Sequence, residues 1–239
     1  MAKERIDKIL SNMGLCSRRE AAKAAKSGQI TVNGQKVKDA GQKADPETDE
    51  ICLRGEPVAY QKYTYLMLNK KAGYITATED KHQATVLDLL PEQEKRKGLF
   101  AAGRLDKDTE GLLILTNDGA FAHSIMSPRH HIDKVYYGEY SGELAPDSEE
   151  RFREGLALSP DFSCMPAELT RLEPGKARIT IREGKFHQVK RMIEACGGKI
   201  TYLKRLQIGT LKLPETLKIG DFCPIEPEEV KKMQELLKK

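Results

Sequence analysis

No apolar run in the 239-residue chain approaches the roughly 18 residues that a membrane-crossing helix needs. The opening stretch, Met1 to Leu10, has no apolar centre of the kind that makes a secretion signal. Cysteine is scarce: Cys16, Cys52, Cys164, Cys196 and Cys223 are odd in number and widely spaced, and no C-x-x-C occurs. That spacing disfavours both a structural zinc site and a disulfide framework, and it fits a reducing cytosol. No internal repeat or low-complexity tract is evident, and no Walker loop is present, because no G-K-[ST] follows a glycine turn. The chain is expected to be cytoplasmic and unattached to a membrane.

What is present suits a folded protein. Hydrophobic residues make up 39% and charged residues 32%, enough for a core beneath a heavily charged surface. The length fits one or two domains. The formal charge is +4, but it is unevenly spread. Residues 1–43 hold ten Lys or Arg against four Asp or Glu, a local +6, which leaves −2 for the remainder. Such asymmetry points to a nucleic-acid-binding module better than the overall balance does, against the plain alternative of a solvated charged face.

The basic segment has readable structure. Ile6, Ile9, Leu10 and Met13 follow helical spacing, and Gly14 ends that helix. Ser17-Arg18-Arg19-Glu20 has the form of a capping box, so a second helix starts there and presents Arg18 and Arg19 to solvent. Ile30 to Val32 and Gln35 to Val37 flank Asn33-Gly34, a type I′ hairpin signature. A strand at Ile51 to Leu53 follows. These features resemble the S4 RNA-binding domain. The resemblance implies contact with structured RNA through Arg5, Lys8, Arg18, Arg19, Lys23 and Lys36, and it identifies no reaction.

From Gly55 a linker runs to about residue 62, dividing the chain into domains 1–60 and 61–239. Strands are expected at Tyr65 to Asn69, Leu112 to Thr116 and Val135 to Tyr140, with Lys70 to Gly73 as a turn. A late hairpin is expected around Pro174-Gly175. Helices are expected at Thr85 to Leu90, after Asn117-Asp118-Gly119, at Ser148 to Leu156, Phe186 to Cys196 and Glu228 to Leu237. Without a strict βαβ rhythm, the second domain reads as α+β around a largely antiparallel mixed sheet flanked by helices.

The most distinctive run is Gly103-Arg104-Leu105-Asp106-Lys107-Asp108-Thr109-Glu110-Gly111, which packs five acids and bases between glycines just before a buried strand. A polar surface loop is its plain alternative. Ser127-Pro128-Arg129-His130-His131 precedes Lys134-Val135-Tyr136; adjacent histidines diverge on most backbones, so no metal site is expected there. Gly184 to Met192 opens a helix whose N-terminus, with Lys190 and Arg191, is cationic.

Taken together these clusters resemble the RsuA family of pseudouridine synthases. The matching stretches are residues 103–119, Lys134 to Tyr136, Glu183 to Met192, and Leu203 through Arg205 to Gly209. The resemblance implies an isomerisation without cofactor or metal. It casts Asp106 as the catalytic carboxylate and Lys190 as the cation that pairs with it. Tyr136 becomes the aromatic that stacks on the flipped uracil and Leu203 the apolar wall of its pocket. Arg104 becomes the residue that fills the vacated stack, and His187 and Gln188 join the substrate contacts. The Ser-Pro-Arg-His-His run and Ala101-Ala102-Gly103 look most like the branch acting on 16S ribosomal RNA, with uridine 516 in the bacterial reference numbering as target. The large-subunit (23S) branch often carries a long basic tail, and this chain stops at Lys239 without one. The expected partner is ribosomal RNA of the small subunit or a 30S assembly intermediate, and the chain is expected to act as a monomer. A non-catalytic assembly factor would require Asp106, Tyr136 or Lys190 to be replaced, and none is. A hydrolase using Asp106 with His187 lacks a nucleophile motif.

Overall fold

The computed structural model describes residues 3–95 and 97–237. The chain divides into two compact units. One runs to Thr64 and takes in Leu90–Phe100; the other holds Tyr65–Leu89 and everything from Ala101 onward. The return of Leu90–Phe100 to the first unit is not included in a division at residue 60.

The first unit is built from short strands β1 (Glu4–Arg5), β2 (Ile30–Val32), β3 (Gln35–Lys36), β4 (Lys43–Ala44), β5 (Ile51–Leu53) and β6 (Glu56–Pro57), with helices α1 (Ile6–Asn12), α2 (Arg18–Lys26) and α3 (Glu92–Lys95). The Ser17 side chain accepts from the Glu20 amide at 3.2 Å while the Ser17 amide donates to Glu20 at 2.7 Å, so the capping box forms as read. Such a cap contributes about 1 kcal/mol. Asn33 and Gly34 both have positive φ, +51° and +76°, as a type I′ turn requires. A core of Ile6, Ile9, Leu10, Ala21, Ala25, Ile30, Val37 and Ile51 closes the unit. The expected linker begins too early. Arg54 and Gly55 turn a second hairpin between β5 and β6, and the Val58 amide still donates to the Ile51 carbonyl at 2.8 Å.

In the second unit the strands are β7 (Tyr65–Lys70), β8 (Phe100–Ala102), β9 (Glu110–Thr116), β10 (Lys134–Gly142), β11 (Ala157–Ser159), β12 (Phe162–Ser163), β13 (Glu168–Glu173), β14 (Lys176–Ile181), β15 (Gly198–Ile208), β16 (Leu211–Lys212) and β17 (Phe222–Pro224). The principal sheet has nine strands in the order β13-β14-β10-β15-β9-β7-β17, with β16 on β15 and β8 on β9. Along that path only β15 and β9 run parallel. The fold is thus α+β around a mostly antiparallel mixed sheet. Helices α4 (Gly119–Met126), α5 (Ser148–Glu154), α6 (Gln188–Ala195) and α7 (Pro227–Leu236) accompany it. Among the described residues no helix is long and apolar enough to cross a membrane.

Two local departures from the sequence reading matter for the site. Lys70 lies in β7, paired with Gly111, and is fully buried rather than in a surface turn. Helix α6 starts at Gln188, two residues later than expected, because His187 adopts the left-handed conformation at its N-cap (φ +52°). Gly111, with φ +99°, sits where the parallel pair brings β15 against β9. A Cβ there would overlap the Arg205 backbone, so only glycine allows the pairing.

Candidate active site

Residues 103–109 bridge β8 and β9 and are held from beneath. The buried Lys70 ammonium donates to the carbonyls of Thr109 (2.8 Å), Asp106 (3.0 Å), Lys107 (3.2 Å) and Lys71 (3.2 Å). Burial lowers the Lys70 pKa to about 8, against the pull of Asp108, Glu110 and Asp106. Thr76 closes the other side: its Oγ1 donates to the Leu105 carbonyl at 2.7 Å and accepts the Leu105 amide at 3.1 Å. With Leu105 itself buried, the backbone on both sides of Asp106 is fixed while its carboxylate stays partly open.

The loop faces a cavity of about 460 Å³, within the ~300–1,000 Å³ typical of small-ligand sites. Its walls bring together residues from distant parts of the chain: Arg104 and Asp106 from the loop, Tyr136 and Lys134 from β10, Leu203 and Arg205 from β15, and Phe186 to Lys190 at the start of α6. Lys190 Nζ stands 3.1 Å from Asp106 Oδ2 and 2.6 Å from Asp108 Oδ1. Burial opposes the charge on Lys190, but the hydrogen bonds and charges of Asp108 and Asp106 outweigh it and raise its pKa. Burial likewise opposes the Asp108 charge, and the Lys190 hydrogen bond and charge outweigh it, lowering the Asp108 pKa. His187 Nε2 lies 3.6 Å from Asp106 Oδ1.

Tyr136 and Leu203 are both buried in the cavity wall, and Arg104 is exposed at its mouth. Gln188 presents no free polar end to the cavity. Its Nε2 donates to Glu183 at 2.9 Å and its Oε1 accepts the Lys185 amide at 3.0 Å, so it holds the loop that precedes α6. Glu183 extends the same knot by accepting the Met165 amide at 2.7 Å.

Sequence reasoning assigned no task to three residues that shape the site. Lys70 looked like a turn lysine. Arg205 is buried, donating to the Leu112 carbonyl at 2.8 Å and the Tyr136 hydroxyl at 3.4 Å; only its place in the trailing motif hinted at it. Lys134 lines the cavity, with burial, then the charge of Arg205, lowering its pKa to about 8. In the first unit Arg18, Arg19, Lys23 and Lys36 are exposed, and Lys36 runs alongside Gly28 just beyond α2. Arg5 is engaged by Asp7 at 2.7 Å and Lys8 by Glu4 at 3.2 Å.

With this geometry in hand, the comparisons with known proteins are specific. The RNA pseudouridylate synthase family matches residues 64–195 and the S4 domain matches residues 4–51. A Bacillus subtilis (strain 168) protein, the uncharacterized RNA pseudouridine synthase YtzG, is 40% identical over 235 residues, 97% of this chain and 98% of its own. Ribosomal small subunit pseudouridine synthase A of Escherichia coli (strain K12) is 40% identical over 228 residues, 95% of this chain and 98% of its own. A pseudouridylate synthase crystal structure superposes with a TM-score of 0.68 at 35% identity, covering 96% of this chain and 99% of that one. The chain belongs to the RNA pseudouridylate synthase family, carries an S4 domain, and is in enzymatic class an isomerase.

Proposed function

We propose that this protein converts a uridine of ribosomal RNA to pseudouridine, and that the target is uridine 516 of 16S RNA in a small-subunit assembly intermediate. The observation that carries the reading is the Asp106–Lys190 pair, 3.1 Å apart, beside a cavity walled by Tyr136 and Leu203. The small-subunit choice is supported by the E. coli relative, a small subunit enzyme by name.

The reaction breaks the bond from ribose C1′ to N1, turns the uracil, and joins C1′ to C5. The C5 hydrogen leaves as a proton and N1 gains one, so no external group or oxidant is needed. Reaching C1′ in stacked RNA requires flipping the nucleotide out, at about a few kcal/mol. In this reading Arg104, exposed at the mouth, occupies the gap left behind. Tyr136 stacks on the extruded uracil and Leu203 bounds it. Asp106 acts as an ionised carboxylate, required alike by attack at C1′ and by removal of the C2′ proton. Lys190 supplies the counter-charge and His187 flanks the carboxylate. Residues 1–60 act as the RNA-gripping domain and 61–239 as the catalytic one, in a cytoplasmic monomer. Arg18, Arg19, Lys23 and Lys36 reach phosphates from the first domain, with the ion-paired Arg5 and Lys8 beside them.

A cleft that reads one flipped base contacts few bases, and each good base contact discriminates by about 1–3 kcal/mol. A second grip by the S4 domain on shaped RNA raises selectivity through effective concentration. Pseudouridine mapping of ribosomal RNA from cells with and without the protein tests the reading. Loss of one modification, at 16S position 516, is expected; an unchanged map would refute it. Equal kcat/KM on a loop oligonucleotide, naked 16S RNA and a partly assembled 30S particle would refute the choice of an assembly intermediate.

A further inference from the structure

Phe186 is 72% exposed, an unusual setting for a phenylalanine, and it lines the mouth of the cavity. Its ring is not loose. It stacks on the His187 ring at a centroid distance of 3.8 Å and an interplanar angle of 18°. His187 is itself fixed by its left-handed backbone at the start of α6 and stands 3.6 Å from Asp106. The exposed ring is therefore held in register with the carboxylate, one face on an imidazole and the rest open.

We propose that Phe186 is the platform on which a base next to the target uridine stacks. The inference rests on the reading under Proposed function, which makes Asp106 the group that meets the flipped nucleotide. Extruding one nucleotide strips a stacking partner from its neighbours, and an open aromatic ring beside the flipped-base site replaces it. The surroundings favour a nucleobase over a protein partner. The exposed Arg104 and Lys107, with Lys185 paired to Glu183, line the same cavity and outnumber its one other exposed large apolar side chain among the described residues, Met126. That is a cationic setting for a phosphate backbone rather than a broad apolar patch for a protein partner. A nucleobase needs only a flat ring and is accepted whatever its identity. Phe186 thus contributes grip and alignment, not sequence choice.

The chain contains no tryptophan, so Phe186→Trp introduces a single fluorescent reporter at the platform. The probe is an RNA spanning the uridine that cellular mapping assigns to this protein. Binding should quench the indole emission, and an abasic site at one of the two nucleotides flanking that uridine should abolish the quench. Phe186→Ala should raise KM by roughly 5- to 150-fold, the range that base–aromatic stacking commands. The loss should fall on KM rather than kcat, and that variant should no longer respond to the abasic site. A mapped uridine with no quench, a quench that survives abasic sites on both sides, or an unchanged KM for Phe186→Ala would each overturn the platform alone. A map in which no uridine depends on the protein would overturn the functional reading, and the platform with it.

Discussion

The Lys190 ammonium is shared by two carboxylates, nearer to Asp108 at 2.6 Å than to Asp106 at 3.1 Å. Asp108 is largely exposed and Asp106 partly enclosed, so the two partners bear differently on the cavity. Removing the cation should cost far more than removing its outer partner. Lys190→Met is expected to lower the single-turnover rate by about 10²-fold or more, as for loss of a group that stabilises charge in the transition state. Asp108→Asn should stay within about tenfold of the parent, because Lys190 then pairs with Asp106 alone. Equal losses in the two variants would contradict the assignment of Lys190 to Asp106.

Lys70 gives a pH test in which stability and activity move in opposite directions. Its pKa is about 8 in the folded chain against an ordinary 10.5. Between those values the unfolded chain binds more protons than the folded one, so unfolding free energy should rise with pH across that window and fall as pH drops through about 8. Lys134, also at about 8, adds to the same slope, and Lys134→Met should leave the Lys70 part. Above pH 8 the neutral amine has one N–H fewer for the four carbonyls it holds, so the loop under Asp106 loosens and turnover should decline. Denaturant unfolding and turnover measured over the same pH series check both limbs. Parallel behaviour of the two would contradict the account.

Arg205 ties the β9–β15 junction to the site through the Leu112 carbonyl and the Tyr136 hydroxyl. Arg205→Met should leave these acceptors without their donor, at a cost of about 1–3 kcal/mol for a buried group left unpaired. Urea unfolding should show that loss, and kcat should fall with it because Tyr136 loses its anchor. Full stability in this variant would show that the buried guanidinium holds nothing in place.

Neutralising Arg18, Arg19, Lys23 and Lys36 together tests the first unit. If each reaches a phosphate, the slope of log binding constant against log salt should shrink by roughly 0.7–0.9 per lost contact. Binding isotherms at several salt concentrations measure it. An unchanged slope would show that this face does not touch RNA.

Much of the fold was legible because local signals coincide with long-range need. The Ser17–Glu20 box and the Asn33-Gly34 turn each specify an element through contacts only a few residues away, and the apolar run Leu112 to Leu115 announces a strand buried between β7 and β15. Asp106, Tyr136, Lys190 and Leu203 were legible as motifs, and the fold brings them to one cavity. What stayed hidden depends on contacts remote in sequence. Lys70 reads as a surface turn until the carbonyls of residues 106–109 close over it. Strand β17 has three residues, ends in Pro224, and exists only because β7 offers it an edge. The early start given to α6 shows the same limit, since nothing in Phe186-His187 announces the left-handed turn.

The central claim is that the Asp106 carboxylate carries the chemistry. C5-tritiated ribosomal RNA reports it most directly, because joining C1′ to C5 releases that hydrogen to water. Asp106→Asn keeps the shape and removes the charge. The account predicts a fall in single-turnover tritium release of at least roughly 10³-fold, within the ~10²–10⁴ that one proton-transfer group contributes, with RNA affinity little changed. Tritium release near the parent rate from that variant would contradict it.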